Sequence, residues 1–262
     1  MANQLALVTG ASSGIGYELA REFASHGYDL IIAAEDRGIV EAKQAFEQLG
    51  IQVTSVQADL STRDGVEQLW QKVQALGRPL DAAALNAGIG IGGPFKDNDL
   101  ETELRIVDLN CRSVVHLAKR VVQQMQARGS GKILITSSLA STMPGPFEAV
   151  YAASKSFDQS FAQALRNELK DSGISVTSLM PGATDTEFFE KAGLQDTKLG
   201  AGEKDDPALV ARQGYEALLA GKDHVVAGSF KNKVQAAVAK VMPEPAKAQM
   251  HRSASEPGSA NK

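Results

Sequence analysis

The chain has one cysteine, Cys111, in 262 residues. A lone thiol cannot close an internal disulfide, so no disulfide framework holds this fold. Cys111 reads as a buried, inert side chain. Long apolar runs are also missing. The first run, Leu5-Ala6-Leu7-Val8, follows no basic segment and falls far short of the ~20 residues a spanning helix needs. Neither a signal peptide nor a membrane span is expected, and cytoplasmic residence is the default expectation. Basic residues are not in excess: 27 Lys and Arg stand against 31 Asp and Glu, for a net charge of -4. With no basic stripe, a nucleic-acid partner is not expected. Nor is there an internal repeat. At 43% hydrophobic and 22% charged, the composition is that of a globular chain and not of a disordered one.

What is present is an alternation. Short apolar runs occupy residues 5–8, 30–34, 53–56, 80–85, 132–136, 174–180 and 224–227. Near-continuous apolar runs suit strands covered on both faces. Amphipathic patterns fill the gaps, over 14–26, 39–49, 64–76, 100–128, 150–172 and 207–220. Such βα alternation implies parallel pairing and right-handed crossovers, hence a doubly wound α/β fold. We expect a mostly parallel seven-stranded sheet with helices on both faces, in one domain spanning residues 1–242. The stretch 186–206 breaks the pattern with Gly193, Gly200, Gly202 and several charges, and reads as a flap. Residues 243–262, rich in Pro, Ala, Ser, Lys and Glu, read as a flexible tail.

The first run ends in Thr9-Gly10-Ala11-Ser12-Ser13-Gly14-Ile15-Gly16. A glycine-rich turn between strand and helix lets a pyrophosphate approach the backbone and meet the positive helix N-terminus. The second run ends before Glu35, Asp36 and Arg37. An acid there accepts from adenosine ribose hydroxyls and repels a 2′-phosphate. Farther on, Tyr151 and Lys155 stand four residues apart on a helical pattern, and so share one face. Ser138 closes the fifth run, 13 positions before Tyr151.

The T-G-x-x-x-G-x-G turn, Ser138, Tyr151-x-x-x-Lys155 and Asn110 together resemble the short-chain dehydrogenase/reductase family over residues 4 to about 230. The resemblance implies a Rossmann-type fold binding NAD or NADP and an alcohol or carbonyl substrate. It implies an Asn110-Ser138-Tyr151-Lys155 tetrad, with Ser138 favoured over Ser137 by the 13-residue gap. It also implies cofactor contacts at Gly10, Ser12, Ser13, Gly14, Ile15, Gly16, Glu35, Asp59, Leu60, Asn86, Ala87, Gly88, Tyr151, Lys155, Pro181, Gly182, Thr184 and Thr186. Leu85 departs from the family's N-N-A-G pattern at its first position. Glu35 favours NAD, and the non-basic Ser13 agrees; Arg37 is either a solvated charge or a reader of a 2′-phosphate. Asp59 has a second reading as a helix N-cap, a role open also to Ser61.

The chemistry gives each residue type a reason. Hydride addition to a carbonyl makes an alkoxide that needs a proton. A tyrosine near pKa 10 must come down to about 7 to exchange it at neutral pH, a phenolate stabilisation of about 4 kcal/mol. Lys155 is the cation that favours phenolate. Ser138 is placed to hydrogen-bond the substrate oxygen. By resemblance, Lys155 also bonds the nicotinamide ribose, and Asn110 holds a water that links Lys155 to solvent. Phe188, Phe189, Leu194 and Leu199, with Met143, Pro144, Pro146 and Phe147, suit an apolar substrate. The competing reading is a non-catalytic NAD(P) sensor or scaffold; such proteins usually lose the tyrosine or the lysine. Family members commonly pair through the two long helices, so a homodimer or homotetramer is expected, through residues such as Val114, Leu117, Val121, Phe157, Phe161 and Leu165.

Overall fold

The structure is a computed structural model, and it describes residues 3–239 and 241–261. In chain order the sheet and its first helices are β1 (Leu5–Thr9), α1 (Gly14–Ser25), β2 (Asp29–Ala34), α2 (Gly38–Glu47), β3 (Val53–Gln57), α3 (Arg63–Ala75) and β4 (Ala82–Leu85). Then come α4 (Leu100–Val107), a π-helical turn (Asp108–Arg112), α5 (Ser113–Arg128), β5 (Gly131–Thr136), α6 (Ala149–Glu168) and β6 (Ile174–Pro181). The remainder is α7 (Phe188–Lys191), α8 (Lys198–Ala201), α9 (Pro207–Leu219), β7 (His224–Ala227), α10 (Phe230–Ala239) and α11 (Glu244–Ser255).

All seven strands run parallel, in the order β3-β2-β1-β4-β5-β6-β7. The expected sheet was mostly parallel; this one is wholly so. Alternate residues of each strand feed two cores. Leu5, Leu7, Ile133 and Ile135 pack under Trp70 of α3, Leu117 and Val121 of α5 and Ala162 of α6. Ala6, Val8, Leu30 and Ile32 pack under Phe23 of α1, Phe46 of α2 and Tyr215 of α9. Burial on both faces is why these strands lack polar alternation. The order reverses between β1 and β4, and ligands of open parallel sheets bind outside the strand ends at such a point.

Two expectations are corrected. Residues 244–255 are not a flexible tail but a helix, with His251 and Ser255 buried. The physical reason is a polar anchor: Glu148, itself buried, accepts hydrogen bonds from the ring of His251 (3.0 Å) and the hydroxyl of Ser255 (2.8 Å). Arg252 adds a cation over the Phe147 ring at 4.9 Å. The same segment ties down the flap, because Gly258 N donates to Asp196 Oδ2 and Lys198 N to Ser259 Oγ, each at 3.0 Å. Second, Thr62, and not Asp59 or Ser61, caps α3, its hydroxyl accepting from Gly65 N. The flap itself holds a small apolar core of Phe189, Ala192 and Leu194. Replacing Ser255 by Ala should cost about 1–3 kcal/mol, since it removes a donor from a buried carboxylate. Urea unfolding checks this, and an unchanged midpoint would show that α11 does not depend on Glu148.

Candidate active site

The C-terminal ends of β1, β2, β4, β5 and β6 open into one cleft of about 1110 Å³. One wall is the glycine turn. Gly10 (φ 68°) and Gly14 (φ 56°) hold left-handed backbone that other residues rarely adopt. At Gly16 the helix meets the strand so closely that a Cβ would overlap the Gly10 carbonyl oxygen and stand 2.5 Å from Asn86 Nδ2. Ser13 is the extended N-cap of α1, and no side chain caps that helix. A bare cradle of this shape at the N-terminus of a 12-residue helix fits a pyrophosphate. Thr186 faces it, within 3.0 Å of where a Gly14 Cβ would lie.

Thr9 locks the floor. Its hydroxyl accepts from the backbone N–H groups of Asn86 (2.9 Å) and Ala87 (3.0 Å). Asn86 Nδ2 donates to Thr9 O, and its Oδ1 accepts from Thr136 Oγ1 (3.1 Å). Asn86 therefore joins β1, β4 and β5. Gly88 lies beside Lys155 Nζ and Asn110 Oδ1, each 3.2 Å from where its Cβ would be.

The opposite wall carries Ser138, Tyr151 and Lys155. The Tyr151 ring packs on Phe188, with centroids 5.1 Å apart. Ser138 meets the phenol, and its Oγ also accepts from Ala140 N (3.1 Å). The neighbouring Ser137 donates to the carbonyl of Lys155 (2.8 Å). Lys155 is buried; its Nζ donates to Thr136 O (2.9 Å) and Asp158 Oδ2 (3.1 Å). Burial in the cleft, with the charges of Glu148 and Asp158, pushes the Tyr151 phenol above its ordinary value, and Ser138 opposes this only in part. The sequence argument wanted that phenol lowered. The difference arises chiefly from burial of the phenol, to which the Glu148 and Asp158 charges add.

Asn110 sits in the π turn, where the ladder slips by one residue between α4 and α5. It is fully buried. Its amide donates to Ile89 O and Ser154 Oγ, each at 2.9 Å, and its Oδ1 accepts from Ile89 N (3.0 Å). Asn110, Gly14 and Asp59 are not among the residues that line the cleft; every other expected site residue lines it. Thr184 is buried, with its hydroxyl on Gly182 O, at the base of the flap.

The adenosine end departs from expectation in its cation. Glu35 is ion-paired with Arg105, which also reaches Asp59 Oδ2 (3.3 Å). Burial alone would raise the Asp59 carboxyl. Hydrogen bonds from Ser61 and the charge of Arg105 bring it below its ordinary value. Asp36 accepts from Ser12 Oγ (2.7 Å) and Gly38 N (2.9 Å). Arg37 stands at the start of α2 and is not among the cleft residues. Arg105 was missed because its partners lie 70 and 46 residues away. Also missed were Glu148, Met250, His251 and Ala254, which line the substrate side. Pro245 in the first turn of α11, beside Glu244, was the available helix-start signal. Of the expected apolar residues, Met143, Phe188, Phe189 and Leu199 face the cleft, whereas Leu194 belongs to the flap core. Pro144 and Pro146 line a shallow depression elsewhere. Cys111 is half-buried, and burial pushes its thiol up to about 11, which makes it a poor nucleophile.

Comparison with known proteins agrees with this geometry. The family model described as short chain dehydrogenase matches residues 4–197. The uncharacterized oxidoreductase YmfI of Bacillus subtilis (strain 168) is 32% identical over 192 residues, covering 72% of this chain and 78% of that protein. A short-chain dehydrogenase from Sphingobium yanoikuyae, solved in complex with NADPH, superposes with a TM-score of 0.79 at 27% identity, over 85% of this chain and 87% of its own. A 3-ketoacyl-(acyl-carrier-protein) reductase from Brucella melitensis, complexed with NADH, gives 0.75 at 25% identity, over 85% and 96%. A sheet reversing at a glycine turn, a cleft crossing that point and a family match over most of the chain lead to one conclusion: the chain belongs to the short-chain dehydrogenase family.

Proposed function

We propose that this NAD(P)-dependent oxidoreductase acts on an apolar alcohol or carbonyl compound, with Tyr151 as general acid/base. The observation that carries the proposal is the convergence of Ser138, Tyr151 and Lys155 on the wall facing the glycine cradle. A nicotinamide bound there supplies or accepts the hydride. In reduction, the Tyr151 O–H bond breaks and its proton passes to the substrate oxygen, while the Ser138 hydroxyl hydrogen-bonds that oxygen as charge develops. The buried Lys155 ammonium is the cation for the resulting phenolate. Asn110 ties the segment after β4 to α6, keeping Gly88 against Lys155. Oxidation runs the same steps in reverse. The apolar lining of Leu139, Met143, Phe188, Phe189 and Met250 supports an apolar substrate.

NAD is favoured over NADP by the charge at the adenosine end. Glu35, Asp36, Asp59 and Glu187 there outnumber Arg105 and Lys191, the latter held protonated chiefly by its bond to Glu187. A 2′-phosphate would add charge to an acidic patch. Of the residues first expected to pair subunits, Phe157 alone is kept in the proposed self-association surface. Val114, Leu117 and Val121 are core, and Phe161 and Leu165 pack against it. The exposed large apolar residues on α4, α5 and α6 are Leu100, Leu104, Val107, Val115 and Phe157. Cytoplasmic residence is kept as a proposal; among the described residues, no helix is long and apolar enough to cross a membrane.

Tyr151→Phe should lower reduction of an aryl-ketone panel by at least about 100-fold while NADH still binds with near-unchanged fluorescence titration. Undiminished turnover removes Tyr151 from the chemistry. Glu35→Gln frees Arg105 and should move the NADH:NADPH affinity ratio about tenfold toward NADPH; a constant ratio would show that Glu35 does not set cofactor choice. Sedimentation at micromolar protein should give a mass above that of one chain, and a single-chain mass rejects the helix-face pairing.

A further inference from the structure

The mechanism above leaves unused a buried charge in direct contact with Lys155. Asp158 lies on α6, one turn beyond Lys155, and is fully buried. Its Oδ2 is 3.1 Å from Lys155 Nζ. Its Oδ1 is buried and has no hydrogen-bond partner among the described residues. A half-satisfied carboxylate in the interior is costly, and a hydrophobic side chain would serve packing better. A role in packing therefore does not account for it.

We propose that Asp158 is a positioning residue for Lys155. It holds the ammonium against β5 and cancels part of its field at Tyr151, so that the phenol stays protonated at neutral pH and the site is set to donate a proton in carbonyl reduction. The inference rests on Tyr151 being the acid/base. It adds a preferred direction, which the tetrad alone does not carry.

The geometry supports this in three ways. The ammonium is divided between Thr136 O (2.9 Å) and Asp158 Oδ2 (3.1 Å). An ammonium and a carboxylate at 3.1 Å form a nearly neutral pair, which acts on a neighbouring phenol more weakly than a free cation. A second buried carboxylate, Glu148, stands on the other side of Tyr151, and it too opposes phenolate. Burial raises the Asp158 carboxyl and Lys155 opposes that, as expected for a carboxylate kept inside only by its partner.

Other ionisable groups around the pair are few. Cys111, on the π turn packed against α6, feels both charges. Glu103 of α4 is buried and bonded to Asn98 (2.8 Å). His251 reaches the pair only through Glu148. Strand β6 carries no ionisable side chain, and Lys132 of β5 extends to Leu219 O.

The test is the ionisation of Tyr151, read without substrate in the full chain. Near-ultraviolet phenolate absorbance is titrated for each protein and for its matched Tyr151→Phe partner, and the difference isolates one tyrosine of the four. Asp158→Asn keeps the shape and an acceptor for Lys155. It should lower the Tyr151 midpoint by about one pH unit or more, and Asp158→Glu should return it toward the wild-type value. A midpoint in Asp158→Asn equal to the wild type, or no Tyr151 ionisation in either before alkaline unfolding, overturns the proposal. So does a lowered midpoint that Asp158→Glu leaves equally low, because the charge is then not the cause. If the Asn variant does not fold, Asp158→Ser, which admits water in place of the carboxylate, is read the same way. Failure here leaves the acid/base reading standing whenever Tyr151→Phe abolishes ketone reduction. Retained reduction in Tyr151→Phe removes that reading instead.

Discussion

The constraint on which the cleft depends is the approach of α1 to the end of β1. Gly16 lies where any side chain would overlap the Gly10 carbonyl oxygen and crowd Asn86. That contact sets the height of the helix N-terminus above the sheet. It fixes where the open N–H groups point, and so where a phosphate can sit. The Thr9 hydroxyl extends the same constraint sideways by gripping the backbone after β4. Asn86 passes it to β5, whose end presents Ser138. The two walls of the cleft are therefore set relative to each other by a few hydrogen bonds and one absent methyl group.

Much of this was legible in the sequence, for physical reasons. Strands buried on both faces must be apolar throughout, so the seven runs announced themselves. A backbone that must turn left-handed and admit a phosphate calls for glycine, which made 10–16 conspicuous. Tyr151 and Lys155 share a helix face by periodicity alone. Other features left no local trace. The π turn at Asn110 changes the ladder without changing the composition of its helix. Arg105 and Glu35 pair across the sheet, and neither residue type signals that contact. Asp158 looks like any polar residue on an amphipathic helix until α6 is packed. Helix α11 was misread because its apolar content is low; it is anchored by a buried polar cluster, which hydropathy does not detect.

Electrostatics divides the cleft into two ends of different character. At the adenosine end, exposed carboxylates share Arg105, and solvent screens the balance. At the tyrosine end, Glu148, Asp158 and Lys155 are all buried, and their charges act on one another with little screening by solvent. On the proposed reading, the first end bears on which nucleotide fits and the second on how readily a proton leaves.

Phe147 is the one non-glycine residue with a positive φ among those described (67°). A bulky side chain rarely holds that conformation unless its surroundings compel it. Here Arg252 lies over its ring, and the adjacent Glu148 is gripped by His251 across 103 positions of sequence. The loop leading to Tyr151 is therefore completed by residues that leave the ribosome long after it. During synthesis, the glycine turn and the α9 side chains that close the core beside it, such as Tyr215, are made before the segment that completes the loop ahead of Tyr151. A nascent chain should thus acquire the ability to hold a dinucleotide before it can act on anything.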